Sequence, residues 1–172
     1  MTGEDRAAVA DDLVSTSGER DALEGFLDHH RYALVGKLRG LSDEDARRRL
    51  VPSLTTLVGL VKHAAAVERN WLQHHLAQIP REEIAGNSFG DADSWTVGPE
   101  ETVADVLAEH EAACATSRRL AAGHALDDTV PHARRGRVSL RWIYLHLIRE
   151  YARHAGHADI LREQIDGATG DL

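Results

Sequence analysis

Residues 139–167 read SLRWIYLHLIREYARHAGHADILREQIDG, a stretch without proline that opens on Ser139 and closes on Gly167. Serine is a favoured helix N-cap, and glycine most readily takes the left-handed backbone that ends a helix. The stretch therefore predicts one helix from Leu140 to about Ile165. At about 100° per residue, Ile143, Leu147, Glu150, His154 and Leu161 fall within about 60° of one another. That stripe is apolar enough to face a core, yet it carries a carboxylate and an imidazole. Polar groups aimed at a core are costly unless paired or coordinated, so both need a partner.

Outward from this helix, the four prolines Pro52, Pro80, Pro99 and Pro131 divide the chain into long stretches rich in Ala, Leu, Arg and Glu. Helices are predicted from Arg20 to Arg39, ended by Gly40, from Leu54 to Gln78, capped by Ser53 and stopped at Pro80, and from Glu101 to Gly123. Ser42 followed by Asp43, Glu44 and Asp45 opens a short extra helix reaching Leu50. The second long helix places Leu57, Leu60, Val61, Val67, Trp71 and Leu72 on one broad face. The segment Pro80 to Pro99, with Gly86, Asn87, Gly90, Asp91 and Asp93, reads as a long connection, and Pro131 to Val138 as another polar one. Four long amphipathic helices without strand-like alternation predict an all-α four-helix bundle. It forms a single domain over residues 16–172 behind a frayed segment 1–15.

Composition narrows the chemistry. Acidic residues outnumber basic ones, 28 to 20, for a net charge of −8, which speaks against a nucleic-acid partner. No apolar run is long enough to span a membrane. The start, MTGEDRAAVADDL, lacks the basic and apolar regions of a secretory signal, and one cysteine, Cys114, leaves no intrachain disulfide; both predict a cytoplasmic protein. The basic cluster Arg134, Arg135 and Arg137 reads as a solvated loop. Eleven histidines are the anomaly, because histidine is the commonest metal ligand.

Residues four apart on a helix are stacked neighbours, so Glu150 and His154 can reach one cation. His146 and His157 lie on the same stripe and make rival pairs. His63, between Leu60 and Val67 at the border of the second helix's apolar face, offers a third donor. A His₂Glu set leaves one coordination position open, as in catalytic zinc sites. The bland reading stays open beside it: each histidine a hydrogen-bonded core residue, and Glu150 paired with Arg153 or another arginine. His29, His30, His74 and His75 read as surface groups. Glu68, on the apolar side of the second helix, needs a buried partner, Arg153 or Tyr151, and reads as a salt bridge or a catalytic base.

At these residues the sequence resembles the DinB-like superfamily of four-helix metalloproteins, in particular its mycothiol-dependent branch. LVGLVKHAAAVERNW, residues 57–71, is similar to that branch's second-helix motif, a histidine followed eight residues later by tryptophan, and residues 139–170 are similar to its C-terminal helix. Weaker similarity covers ERDALEGFLDHH and LSDEDARRRLVPS. The resemblance implies an up-down-down-up helix order and a divalent metal held by His63, Glu150 and His154. Zinc suits these ligands, with nickel and iron as alternatives. Many relatives carry histidine where this chain has Glu150, whereas the mycothiol-dependent maleylpyruvate isomerase carries glutamate.

The activity implied is that of an S-transferase joining the thiol of mycothiol, activated as a metal-bound thiolate, to a small electrophile. A metal-water hydrolase, a thiol-dependent isomerase and a non-catalytic stress-related binding protein are the alternatives. His146 and His157 would support the ligands from one turn away, His157 having a surface reading as well. Trp71 of the motif, Trp95 and Asp93 in the long connection, and the cations Arg149 and Arg153 are the candidate substrate contacts. A second copy of the chain is a candidate partner.

Overall fold

The structure is a computed structural model that describes residues 14–169. All but two residues of the expected frayed segment 1–15 lie outside the described residues, and those two, Val14 and Ser15, form a turn. The architecture is mostly helical. Helix α1 spans Glu19–Gly36, α2 Asp43–Ala46, α3 Leu57–Glu68, α4 Val103–Ala121 and α5 Leu140–Asp166. No helix among the described residues is long and apolar enough to cross a membrane.

The caps explain the boundaries. Ser42 accepts from the Asp45 amide to open α2, Ser139 accepts from the Trp142 amide to open α5, and Gly167, at φ 77°, ends α5 with its amide on the Glu163 carbonyl. Helix α4 begins on a capping box, in which Thr102 and Asp105 each accept from the other's backbone. The cap of α3 is Thr56, three residues later than the expected Ser53, whose hydroxyl bonds Thr55 instead. Helix α2 ends at Ala46 rather than Leu50. Arg47 is drawn away to the carbonyls of Gly98 and Glu101, and the residue before Pro52 disfavours helix.

Helix α3 continues as a π-helical segment, Arg69–Leu76, in which amides bond five residues back, as Ala77 does to Leu72. The wider turn accompanies sideways anchors. Arg69 donates to Glu109 at 2.6 Å, and Asn70 accepts from Arg81 at 2.8 Å. Gln78, at φ 55°, ends the segment. The connection to α4 is irregular apart from two short 3₁₀ turns, Arg81–Glu83 and Ala92–Trp95.

The expected polar connection before α5 is instead a hairpin, β1 Thr129–His132 and β2 Gly136–Ser139, with Val130 opposite Val138. Each strand buries only that valine, too short an alternation to register in the sequence. The hairpin docks β1 on the π segment and β2 on α5.

Helix α1 packs on α5, α3 on α4, and α3 on α5. Leu27, Leu34, Leu57, Leu60, Leu72, Leu140, Ile143 and Leu147 are fully buried, each stabilising by about 1.5–3 kcal/mol. Glu68 is fully buried too, and its partner is neither Arg153 nor Tyr151. Arg31 of α1 grips it with a two-pronged fork, Nε to Oε1 and Nη2 to Oε2, both at 2.8 Å. Arg153 is exposed, and the Tyr151 hydroxyl pairs with His110 at 2.8 Å.

Candidate metal centre

Because α3 packs on α5, His63 is brought against Glu150 and His154. One donor atom from each of the three lies within 4.8 Å of the others. His154 Nε2 is 3.1 Å from Glu150 Oε1, and His63 Nε2 is 3.9 Å from the same oxygen. Both imidazoles are buried and the carboxylate is half-buried. The hydrogen bond from His154, more than the distant His63, holds Glu150 well below the usual carboxylate range against its partial burial. Its ionic partners among the described residues are these two histidines, with no lysine or arginine.

The orientation of His63 is set from outside the helix pair. Ser94, fully buried in the Ala92–Trp95 turn, donates its only hydroxyl proton to the Asp91 carbonyl at 2.5 Å. Toward His63 Nδ1, 2.7 Å away, Ser94 Oγ can therefore only accept, so Nδ1 carries a proton and Nε2 is the nitrogen turned toward Glu150. This is how a ligating histidine is held in its tautomer. Nothing in the sequence marks Ser94 for this role; it is 31 residues from His63 and meets it only in the fold. Trp95, next in the turn, stacks on the His63 ring at 4.1 Å and 15° and meets His154 edge-on at 5.3 Å. Gly59, one turn before His63, permits this approach: a Cβ there would lie 2.9 Å from the Trp95 carbonyl oxygen and 2.9 Å from Thr56 Oγ1.

The donors fit a divalent cation. Two imidazoles and a carboxylate converge with no lysine or arginine paired to Glu150 among the described residues, and Ser94 holds His63 with Nε2 aimed inward.

The other expected residues fall elsewhere. His146 stacks on Trp142 at 5.2 Å and 7°, and its Nδ1 accepts from Arg149 at 2.8 Å; burial and then Arg149 push its pKa down to about 4. His157 is exposed, its ring 5.6 Å from that of His154. Trp71 is buried among His75, His132, Trp142 and His146. His74 and His75 are half-buried rather than surface groups: His74 Nδ1 lies 3.0 Å from the Ile79 carbonyl, and His75 stacks on His132 of the hairpin. Asp93, Arg149 and Arg153 are exposed. Cys114 is buried with its thiol pushed up to about 12 by burial, so it is no nucleophile.

A family model described as mycothiol-S-transferase matches residues 22–167. The chain belongs to the mycothiol S-transferase family. The mycothiol S-transferase match runs from within α1 to the cap of α5 and so takes in His63, Glu150, His154 and the Ser94 turn. No curated protein matches the chain significantly.

Proposed function

We propose that the protein is a divalent-metal-dependent S-transferase that joins the thiol of mycothiol to a small electrophile. The convergence of His63, Glu150 and His154 donors within 4.8 Å, in a chain of this family, carries the reading. A zinc ion held there would supply the positive charge that lowers a thiol's pKa and keeps it ionised near neutral pH.

The rest is the work of the chain. Ser94 and the Asp91 carbonyl hold the His63 ring in one tautomer, so no reorganisation is needed at the site. With a divalent ion held there, Glu150 would leave one net positive charge at the centre, enough to attract a thiolate. Trp95 walls one side against water and, being half-buried, offers its outer edge to a sugar-bearing thiol, with exposed Asp93 beside it as a hydrogen-bond acceptor. Arg149 and Arg153 are cationic contacts for the thiol's carbonyls or for the electrophile. The sulfur forms a bond to the electrophilic carbon, and the leaving group departs with its electron pair.

The test is metal analysis of protein purified without chelator, then calorimetric titration with mycothiol, with glutathione and bacillithiol as controls. About one divalent ion per chain is expected in the wild type and none in His154→Ala. Full occupancy in that variant overturns the ligand set. Failure of the metal-loaded protein to bind mycothiol overturns the transferase reading.

A further inference from the structure

The basic cluster that reads as a solvated loop in the sequence builds a second cavity. Arg134 and Arg135, in the turn between β1 and β2, join Arg81 around a cleft of about 500 Å³ whose floor includes Trp71, His75 and His132. The floor is a stack of rings: His132 lies 4.5 Å from His75 at 27° and 5.3 Å from Trp71 at 18°. These rings already stack on one another, and a planar group adds to the side of the stack that lines the cleft.

The rim is cationic, with Asp91 acting on Arg81 from outside the lining. No carboxylate lines the cleft. Arg134 and Arg135 are exposed and make no ion pair with an acidic group among the described residues. Arg81 is held in place by donating to Asn70 at 2.8 Å and by lying over the Phe89 ring at 4.3 Å, and Arg135 lies over the Trp142 ring at 4.8 Å. The turn also orients its own floor, since the Arg134 amide donates to His132 Nδ1 at 3.2 Å. His75, pushed down to about 4 by burial and then by His132, is neutral at pH 7 and adds hydrogen-bonding capacity rather than charge.

The cleft lies on the same seam as His63, Glu150 and His154. Trp71 follows His63 by eight residues along the second helix, and His146, whose ring is 4.5 Å from Trp71, precedes Glu150 by four along α5. Both displacements run the same way along the seam, so the aromatic floor is offset from the three donors by about 6–12 Å along the helix axes at 1.5 Å per residue. That is the reach of one small molecule.

We infer that this cleft binds the electrophile, a planar conjugated or aromatic anion whose flat body lies against the ring floor of Trp71, His75 and His132 while its carboxylate or phosphate is gripped by Arg134, Arg135 and Arg81. Guanidinium forks pair either oxyanion bidentately. That the bound anion is the acceptor for the thiol rests on the proposed transferase reaction; that the cleft binds such anions does not.

The two are separated by measuring binding apart from turnover. Calorimetric titration of the metal-loaded full chain uses 1-naphthoate, 1-naphthyl phosphate and the neutral 1-naphthalenemethanol. At least one anion is expected to bind about tenfold or more tightly than the alcohol, one charge-assisted pair being enough for that factor. The double variant Arg134→Gln/Arg135→Gln should abolish the difference and Arg134→Lys/Arg135→Lys should keep most of it, whereas Arg119→Gln, on an exposed face of α4, should leave it intact. Both hairpin arginines are exposed, so the fold survives their replacement. Equal binding of alcohol and anions, no binding of either anion, or undiminished anion binding in the glutamine variant overturns the inference. Anion binding that follows this pattern, with no thiol transfer to any electrophile, upholds the cleft and overturns only the transferase reading.

Discussion

Replacing Ser94 by alanine removes one oxygen and leaves every proposed ligand in place, which makes it the sharpest probe of how the centre is oriented. Ser94 is fully buried, and its Oγ is the acceptor for His63 Nδ1 at 2.7 Å. Without it, an imidazole that is 5% exposed keeps a donor with no acceptor, a desolvation cost of about 1–3 kcal/mol. The ring can then turn or change tautomer, and either move takes the Nε2 lone pair off the metal. Loss of such an outer support typically weakens a metal site about 10–100-fold. That corresponds to about 1.4–2.8 kcal/mol, matching the cost of the orphaned donor. The assay is zinc competition against a chromophoric chelator, paired with thermal unfolding of the metal-free protein, where a loss of about 1 kcal/mol lowers Tm by about 2–4 °C. A drop in Tm with zinc affinity unchanged within about twofold would refute the reasoning, because Ser94 would then serve packing alone.

Gly59→Ala should weaken zinc affinity about tenfold, since its Cβ, 2.9 Å from the Trp95 carbonyl, displaces the turn that carries Ser94, even though alanine adds about 1 kcal/mol of helix propensity; competition titration of the variant checks this. Glu68→Gln should cost about 3 kcal/mol in denaturant unfolding at pH 7 by leaving buried Arg31 with only the half-buried Asp28, 2.8 Å away, as a counter-charge. Burial opposes ionisation of Glu68, but Arg31 and the surrounding hydrogen bonds outweigh it and lower its pKa from the ordinary 4.5. The wild type should therefore hold this contribution above about pH 4.5 and lose it as pH falls through the lower folded value, and the variant's unfolding curve should lack that acid limb. His146→Ala should change zinc affinity less than about tenfold, because its ring nitrogen serves Arg149 and its face serves Trp142; a loss equal to that of His154→Ala would return His146 to the ligand set.

What the sequence determined by itself is what neighbours along the chain determine. The long helices, the caps at Ser42, Ser139 and Gly167, and the placing of Glu150 and His154 on one face all follow from 3.6-residue periodicity and from hydrogen bonds that close within a turn. Spacing alone ranked His146 and His157 with His154, since all three share a stripe. Only the packing of α3 on α5 separates them in space, by bringing His63 to the level of Glu150 and His154 and leaving His146 beside Trp71. The same holds for Glu68, whose partner Arg31 is 37 residues away, for Ser94, and for the hairpin that turns three arginines and a row of rings into one cleft. These contacts join elements whose separation along the chain carries no periodic signal. Their energy comes from desolvation and pairing across the core, terms that do not exist until the helices have packed.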